Sequence, residues 1–166
     1  MVCEIREYIL PLADEIFKTL HVYQSVETFI SSYINWFKNL QLLTLAVECK
    51  SYSSLTSGDR KHKYITQSTQ CDRNLKGWFR FQGAAGTRMP TSCPPKYRCN
   101  TNAPGWLNGG HPTVANGKVT RQICFHWSSN CCYWSTNIEV RNCSSFYVYH
   151  FSGTPYGCAL RYCGSD

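Results

Sequence analysis

The chain is 166 residues long, which suits one domain with an extension, and its charge is distributed unevenly. Residues 1–48 carry three basic and six acidic side chains, whereas residues 49–166 carry fourteen Lys or Arg against four acids, a net charge of +10. Ten of the eleven cysteines also lie in the second part, and Cys3 lies outside it. The composition excludes two similar halves and predicts a boundary near residue 48.

Residues 1–48 are predicted to form a helical extension. Between Ile5 and Phe37 apolar residues recur every three to four positions, a spacing that places them on one helix face. Pro11 predicts a break near Leu10. No run of eighteen apolar residues occurs, so the sequence predicts no membrane-spanning helix.

The apolar run at residues 40–47 (LQLLTLAV) has the character of the core of a secretion signal, but it lies deep in the chain. The first ten residues contain Glu4, Arg6 and Glu7, which do not suit a signal. Two interpretations of residues 1–48 stay open: an imperfect signal region or helix end, and a segment that comes from an incorrect gene model.

Ten cysteines within residues 49–166 predict a disulfide framework made in an oxidising compartment. Structural zinc is the competing interpretation, but zinc sites usually offer pairs two to four residues apart. The corresponding gaps here run from 93 to 99, 124 to 131 and 158 to 163, and no C-x-x-C occurs. We therefore predict disulfides among Cys49, Cys71, Cys93, Cys99, Cys124, Cys131, Cys132, Cys143, Cys158 and Cys163.

Residues 49–166 are predicted to form one small, disulfide-rich module that is mainly β with a little helix, a small α+β fold. Short apolar or alternating runs predict strands at 77–81, 118–124, 136–140 and 146–151. Asn116-Gly117 is a turn signal between segments that suit a hairpin. Most of the abundant aromatic side chains are expected in the core, because a small domain needs large residues to assemble one.

The motifs between the cysteines are distinctive. They include CDRNLKGWFRF at 71–81, PGWL at 104–107, HP at 111–112 and CALRYC at 158–163. Together with the ten cysteines in register, they resemble the ten-cysteine domain of the family of uromodulin and the pancreatic zymogen-granule membrane glycoprotein. The resemblance covers residues 49–166 and implies a compact extracellular fold of short strands. It also implies five bridges: Cys49–Cys143, Cys71–Cys158, Cys93–Cys131, Cys99–Cys163 and Cys124–Cys132.

Glycosylation is where this sequence departs from the family, some of whose members present a glycan to bacterial adhesins. In the family that glycan is attached within a W-L-N-G-T-H-P segment, but residues 106–112 read WLNGGHP. Gly110 removes the hydroxyl residue that the N-x-[ST] sequon requires, so Asn108 is expected to be bare. Asn142-Cys143-Ser144 is the one sequon in the chain, which makes Asn142 the candidate glycosylation site.

Catalysis is not expected, because residues 49–166 offer four scattered carboxylates and no spare thiol. So few acids also disfavour a calcium site, and we predict no cofactor and no metal. The tightest basic cluster is Arg60, Lys61 and Lys63, for which we predict weak binding of sulfated or other anionic glycans. A plain solubilising surface remains the alternative for this charge.

Two functions stay open for the secreted module. The first is a non-enzymatic recognition or scaffold module that binds extracellular proteins or glycans and no nucleic acid. The second is a glycan-bearing decoy for microbial lectins or adhesins.

Overall fold

The computed structural model describes residues 26–38, 46–65 and 69–166, and the chain divides into two compact units, Met1–Leu45 and Ala46–Asp166. In the first unit, residues 26–38 form one α-helix, α1. The predicted helical extension is confirmed for these residues. The predicted break near Leu10, Cys3 and most of the apolar run at 40–47 lie outside the described residues.

The second unit is built on a seven-stranded sheet, and the predicted mainly β fold is confirmed. The strand order is β1-β2-β6-β5-β4-β3-β7. Strands β1 and β2 are parallel, as are β3 and β7, and the other neighbours are antiparallel. The strands are β1 Ser53–Leu55, β2 Lys76–Phe81, β3 Ala103–Asn108, β4 Lys118–Trp127, β5 Asn130–Asn142, β6 Tyr147–Ser152 and β7 Leu160–Tyr162.

The hairpin of β4 and β5 is the longest feature of the sheet, and its turn is Ser128–Ser129 rather than a glycine turn. Ser128 adopts φ 54°, a left-handed conformation that a tight turn requires. Asn116-Gly117, predicted as a turn between hairpin segments, lies in the connection between the antiparallel strands β3 and β4. The side chains of Thr113 and Asn116 cap a short 3-10 helix there, Val114–Asn116.

The core is rich in aromatic side chains, as the size argument predicts. Phe151 stacks on Tyr162 with ring centroids 3.9 Å apart, and Phe81 meets Tyr149 edge to face. These four side chains are buried, as is Phe125. Burying each such ring stabilises the fold by about 1.5–3 kcal/mol, so a small module gains a large share of its stability from few residues.

The described residues contain three further 3-10 helices: Val47–Cys49 before β1, Gly58–Arg60 between β1 and β2, and Gly83–Ala85 between β2 and β3. Residues Gly58–Arg60 matter most for the site described below, because they precede the basic residues Lys61 and Lys63. The carbonyl oxygen of Gly164 accepts a hydrogen bond from the His62 N–H, and the Gly164 N–H binds the Arg60 carbonyl. The end of the described chain is thereby paired with this segment.

Candidate functional site

Five disulfides hold the module, and they join the pairs that the family resemblance implies. The bridges are Cys49–Cys143, Cys71–Cys158, Cys93–Cys131, Cys99–Cys163 and Cys124–Cys132. Their Cα–Cα separations lie between 4.6 and 5.8 Å, within the ordinary range for a disulfide. Adjacent Cys131 and Cys132 therefore belong to different bridges, one to the loop at Cys93 and one across the β4–β5 hairpin.

Asn142, the sequon residue, uses its side chain inside the fold. Its Nδ2 donates a hydrogen bond to the Pro112 carbonyl at 2.9 Å, and its Oδ1 accepts one from the Ser144 N–H at 2.9 Å. Nδ2 is the atom to which an N-glycan would be joined. In contrast, Asn108 is exposed at the end of β3, where its Nδ2 donates to Gln122 Oε1 at 2.7 Å.

Arg60 corrects the prediction of a three-residue basic cluster in a flexible loop. It lies in a 3-10 helix and is only 8% exposed. Its guanidinium binds the Asp72 carboxylate through two hydrogen bonds of 2.7 Å and donates a third to the Tyr162 carbonyl at 3.2 Å. Because these partners occupy it, Arg60 is a buried structural residue, and its assignment as a ligand-binding residue is wrong.

A second ion pair, between Asp59 and Arg161, fixes the same segment to β7. Arg161 Nη1 lies 3.0 Å from Asp59 Oδ2, and Asn100 Nδ2 donates to the same oxygen at 2.6 Å. Burial by itself would raise the pKa of Asp59, but hydrogen bonds from Arg161, Ser57 and Asn100 outweigh it and hold that pKa well below its ordinary value. The two ion pairs give Lys61 and Lys63 a rigid base.

A polar cleft of about 350 Å³ lies beside that base and is the candidate site. Lys61 Nζ binds the carboxylate of Asp166 at 2.6 Å, and the charge of Lys63 also acts on that carboxylate. Both lysines therefore lie near the cleft, and Lys63 is exposed. The cleft is lined by His62, Arg88, Pro90, Thr91, Ser92, Gly110, His111, Ser165 and Asp166.

His111 forms the inner wall of the cleft and is neutral. Its Nε2 lies 2.8 Å from the Tyr149 hydroxyl, whose oxygen also accepts the Met89 N–H at 3.0 Å. Tyr149 is fully buried, and among the described residues Nε2 is the acceptor within reach of its hydroxyl proton, so donation to Nε2 satisfies that hydroxyl and places the proton of the neutral ring on Nδ1. Burial first, and then the positive charges of Arg88 and Arg121, lower the pKa of His111 to about 4. Burial likewise raises the pKa of Tyr149 above its ordinary range.

Two arginines bring positive charge to this wall, Arg88 in the lining and Arg121 beside His111, and neither has an ion-pair partner among the described residues. Arg88 Nε donates to the Asp166 carbonyl, and the Arg88 backbone pairs with Ser165. Arg121 Nε donates to the Gly110 carbonyl at 3.1 Å. Neither arginine was predicted as a site residue from the sequence, and nor was His111. No sequence spacing connects these three residues, because strand pairing brings them together from distant segments. The one sequence feature that indicated such a site is the net excess of basic residues over acids.

A cysteine and histidine group elsewhere has the composition of a metal site but not the chemistry. Ligand atoms of Cys93, His126 and Cys131 lie within 4.8 Å of one another. Cys93 and Cys131 are joined as a disulfide, so neither sulfur is a thiolate. His126 Nδ1 donates to the Pro94 carbonyl at 2.7 Å.

In the part of the chain that the structure describes, no helix is long and apolar enough to cross a membrane.

Comparisons with known proteins agree with this architecture. A family model described as a uromodulin-like domain matches residues 79–164. The pancreatic secretory granule membrane major glycoprotein GP2 of Canis lupus familiaris is 49% identical over 116 residues, which cover 69% of this chain and 23% of that protein. Uromodulin of Mus musculus is 47% identical over 116 residues, covering 69% of this chain and 18% of that protein. The chain thus spans about a fifth of the length of the curated relatives it matches.

Proposed function

The chain belongs to the uromodulin-like domain family, and from this premise we propose that it is a non-enzymatic recognition module outside the cell. The cleft beside Lys61 and Lys63 binds negatively charged groups on extracellular glycans or proteins. An oxidising compartment is supported by the five disulfides and by the secretory granule in the name of one relative.

The observation that carries this proposal is the charge of the cleft. Basic groups from separate segments, Arg88, Lys61 and Lys63, lie at or beside it, and Arg121 acts on its inner wall. Among the described lining residues, Asp166 is the one carboxylate, and Lys61 already neutralises it. The site consequently attracts anions, and solvent ions screen that attraction over about 8 Å at physiological ionic strength.

Retention on heparin tests the proposal. The folded module is expected to elute from a heparin column at a higher salt concentration than from a sulfonate cation exchanger of matched charge density. Lys61→Ala/Lys63→Ala should remove most of that difference, because it removes two positive charges beside the cleft.

Arg73→Ala/Lys76→Ala is the matched control, since it removes the same charge from exposed residues that do not line the cleft. This variant should lose retention equally on both columns and keep the difference between them. Equal elution of the parent module from both columns would leave the charge with a solubilising role and would overturn the proposal.

The decoy function has one feature in its favour, the sequon at Asn142. Its support is weaker, because the Asn142 amide nitrogen is hydrogen bonded to Pro112 in the folded module. Enzymatic deglycosylation separates the two functions: a decoy would lose its binding to a mannose-specific adhesin, whereas retention on heparin would be unchanged.

A further inference from the structure

The inner wall of the cleft presents hydrogen-bond donors that lack acceptors in the described part of the protein. The terminal nitrogens of Arg88 have no such acceptor, and Arg121 Nη1 reaches only the Thr120 carbonyl. The Nδ1–H of His111 also has no acceptor in the described part of the protein. The other ring nitrogen, Nε2, is hydrogen bonded to the Tyr149 hydroxyl. Thr91 and Ser92, both exposed, add hydroxyl groups to the lining.

These donors are held in place by the backbone around them. The Thr87 and Arg88 N–H groups both donate to the Ser165 carbonyl, at 2.7 and 3.0 Å, and the Ser165 N–H donates back to Arg88. One residue further, the Met89 N–H binds the Tyr149 hydroxyl that positions His111. The backbone of Arg88 and the ring of His111 therefore share one support, and the exposed Arg88 side chain is oriented by the hydrogen bond from its Nε to Asp166.

We propose that Arg88, Arg121 and His111 form a subsite for the sulfate ester of an anionic glycan. This inference rests on the proposed function and gives its ligand a chemical class. Sulfate only accepts hydrogen bonds, and its three free oxygens suit two guanidinium groups and one imidazole N–H. Arginine binds such oxygens in a fixed fork geometry, which distinguishes the subsite from a diffuse basic surface.

A carboxylate ligand suits the same wall less well. Its lone pairs lie in one plane on two oxygens, whereas the three free oxygens of a sulfate ester point in three directions, so a donor group that approaches from outside that plane is left without an acceptor. An unpaired donor in a partly buried site opposes binding. The wall therefore favours sulfated over merely carboxylated sugars.

The charge state of His111 reports directly on the subsite. The groups that act on its ring are the hydroxyl of Tyr149, the ring of Tyr147, and the charges of Arg88 and Arg121. An anion bound between the arginines offsets their charge and favours the imidazolium. Sulfate binding should therefore raise the pKa of His111, which NMR titration of the histidine ring protons measures.

The experiment titrates the folded module with chloride or with inorganic sulfate at equal ionic strength, and then with a sulfated heparin disaccharide and its desulfated analogue. The expected result is a His111 pKa higher by roughly half a unit or more in sulfate than in chloride. The sulfated disaccharide should bind about tenfold or more tightly than the desulfated one.

Arg88→Gln/Arg121→Gln should abolish both differences, whereas Arg73→Gln/Lys76→Gln, with the same loss of charge, should preserve them. Equal pKa shifts in sulfate and chloride, or equal responses of the two double variants, would overturn the subsite. If retention on heparin still depended on Lys61 and Lys63, the subsite would be wrong but the proposed function would remain supported. If retention did not depend on those lysines, the subsite and the proposed function would both be contradicted.

Discussion

Arg60 and Lys61 are adjacent basic residues with opposite roles. Arg60 is buried against Asp72, and Lys61 is a surface residue paired with Asp166. From the sequence alone the two belong to one basic cluster, because residue type and spacing are the same for an exposed and a buried cation. The difference depends on a carboxylate twelve residues away, which the chain brings beneath Arg60 only when it folds.

The two residues should differ in what their loss costs. Arg60→Ala should lower the free energy of unfolding by about 3–5 kcal/mol, because it leaves the Asp72 carboxylate buried without its partner. Lys61→Ala should leave it nearly unchanged, as for an exposed ion pair. Urea denaturation with the disulfides intact measures both values. Similar costs for the two substitutions would contradict the assignment of Arg60 as structural.

At the scale of the element, four strands follow from residue pattern. The predicted strands at 77–81, 118–124 and 136–140 lie inside β2, β4 and β5, and the run at 146–151 differs from β6 by one residue at each end. Exposure alternates along the first half of β4 and along much of β5, where one face meets the core, whereas β6 is recognised by its run of aromatic and β-branched residues and buries the adjacent Val148 and Tyr149.

Residue pattern does not predict the strands β1, β3 and β7. Strands β1 and β7 have three residues each, too few to show a period, and all three residues of β7 are buried. Strand β3 contains Pro104 and Gly105, which normally argue against a strand interior. Pro104 is tolerated because the pairing of β3 with β4 begins one residue later, at Gly105, and a Cβ at Gly105 would lie 2.7 Å from the Phe125 ring. Tertiary pairing, rather than local preference, forms these strands.

The turn between β5 and β6 should leave the sequon of this chain unoccupied. Asn142 is tied to Pro112 and Ser144, and the middle residue, Cys143, is bridged to Cys49. We expect this turn to close before glycan transfer and so to remove the asparagine from the glycosylating enzyme. Glycopeptide mass spectrometry of secreted protein should find less than about a tenth of Asn142 modified, an expectation based on the net strength of its hydrogen bonds.

A Cys49→Ser/Cys143→Ser variant is the matched comparison, since it keeps the sequon while it removes the bridge. Occupancy should rise in this variant. High occupancy in the parent protein would show that the turn closes too late to matter, and it would favour the decoy function.

At the scale of the whole molecule, the disulfide pairing could be predicted from the sequence, whereas the cleft could not. The pairing followed from the family resemblance, because the ten cysteines stand in register with it. The cleft did not, since His62, Arg88, His111 and Ser165 come from four segments that neither composition nor spacing connects. Long-range pairing of Arg88 with Ser165 and of His62 with Gly164 assembles it.

The central claim is that this cleft is the recognition site. Covering the cleft with a glycan tests that claim, and the position of Gly110 makes this possible. Gly110 lines the cleft, no atom lies within 4 Å of a Cβ built on it, and the exposed Asn108 lies two residues away. Gly110→Thr creates a sequon at Asn108. A glycan attached there should therefore shield the cleft without altering its residues' charges.

The decisive measurement is the heparin elution of Gly110→Thr protein whose glycan at Asn108 has been verified by mass spectrometry. The glycosylated variant should elute near the salt concentration of the matched cation exchanger, and trimming the glycan to its first sugar should restore the stronger retention. Asn108→Gln/Gly110→Thr, which cannot carry the glycan, should behave as the parent protein does. Undiminished retention of the fully glycosylated variant would contradict the account, because the anionic ligand would then bind elsewhere.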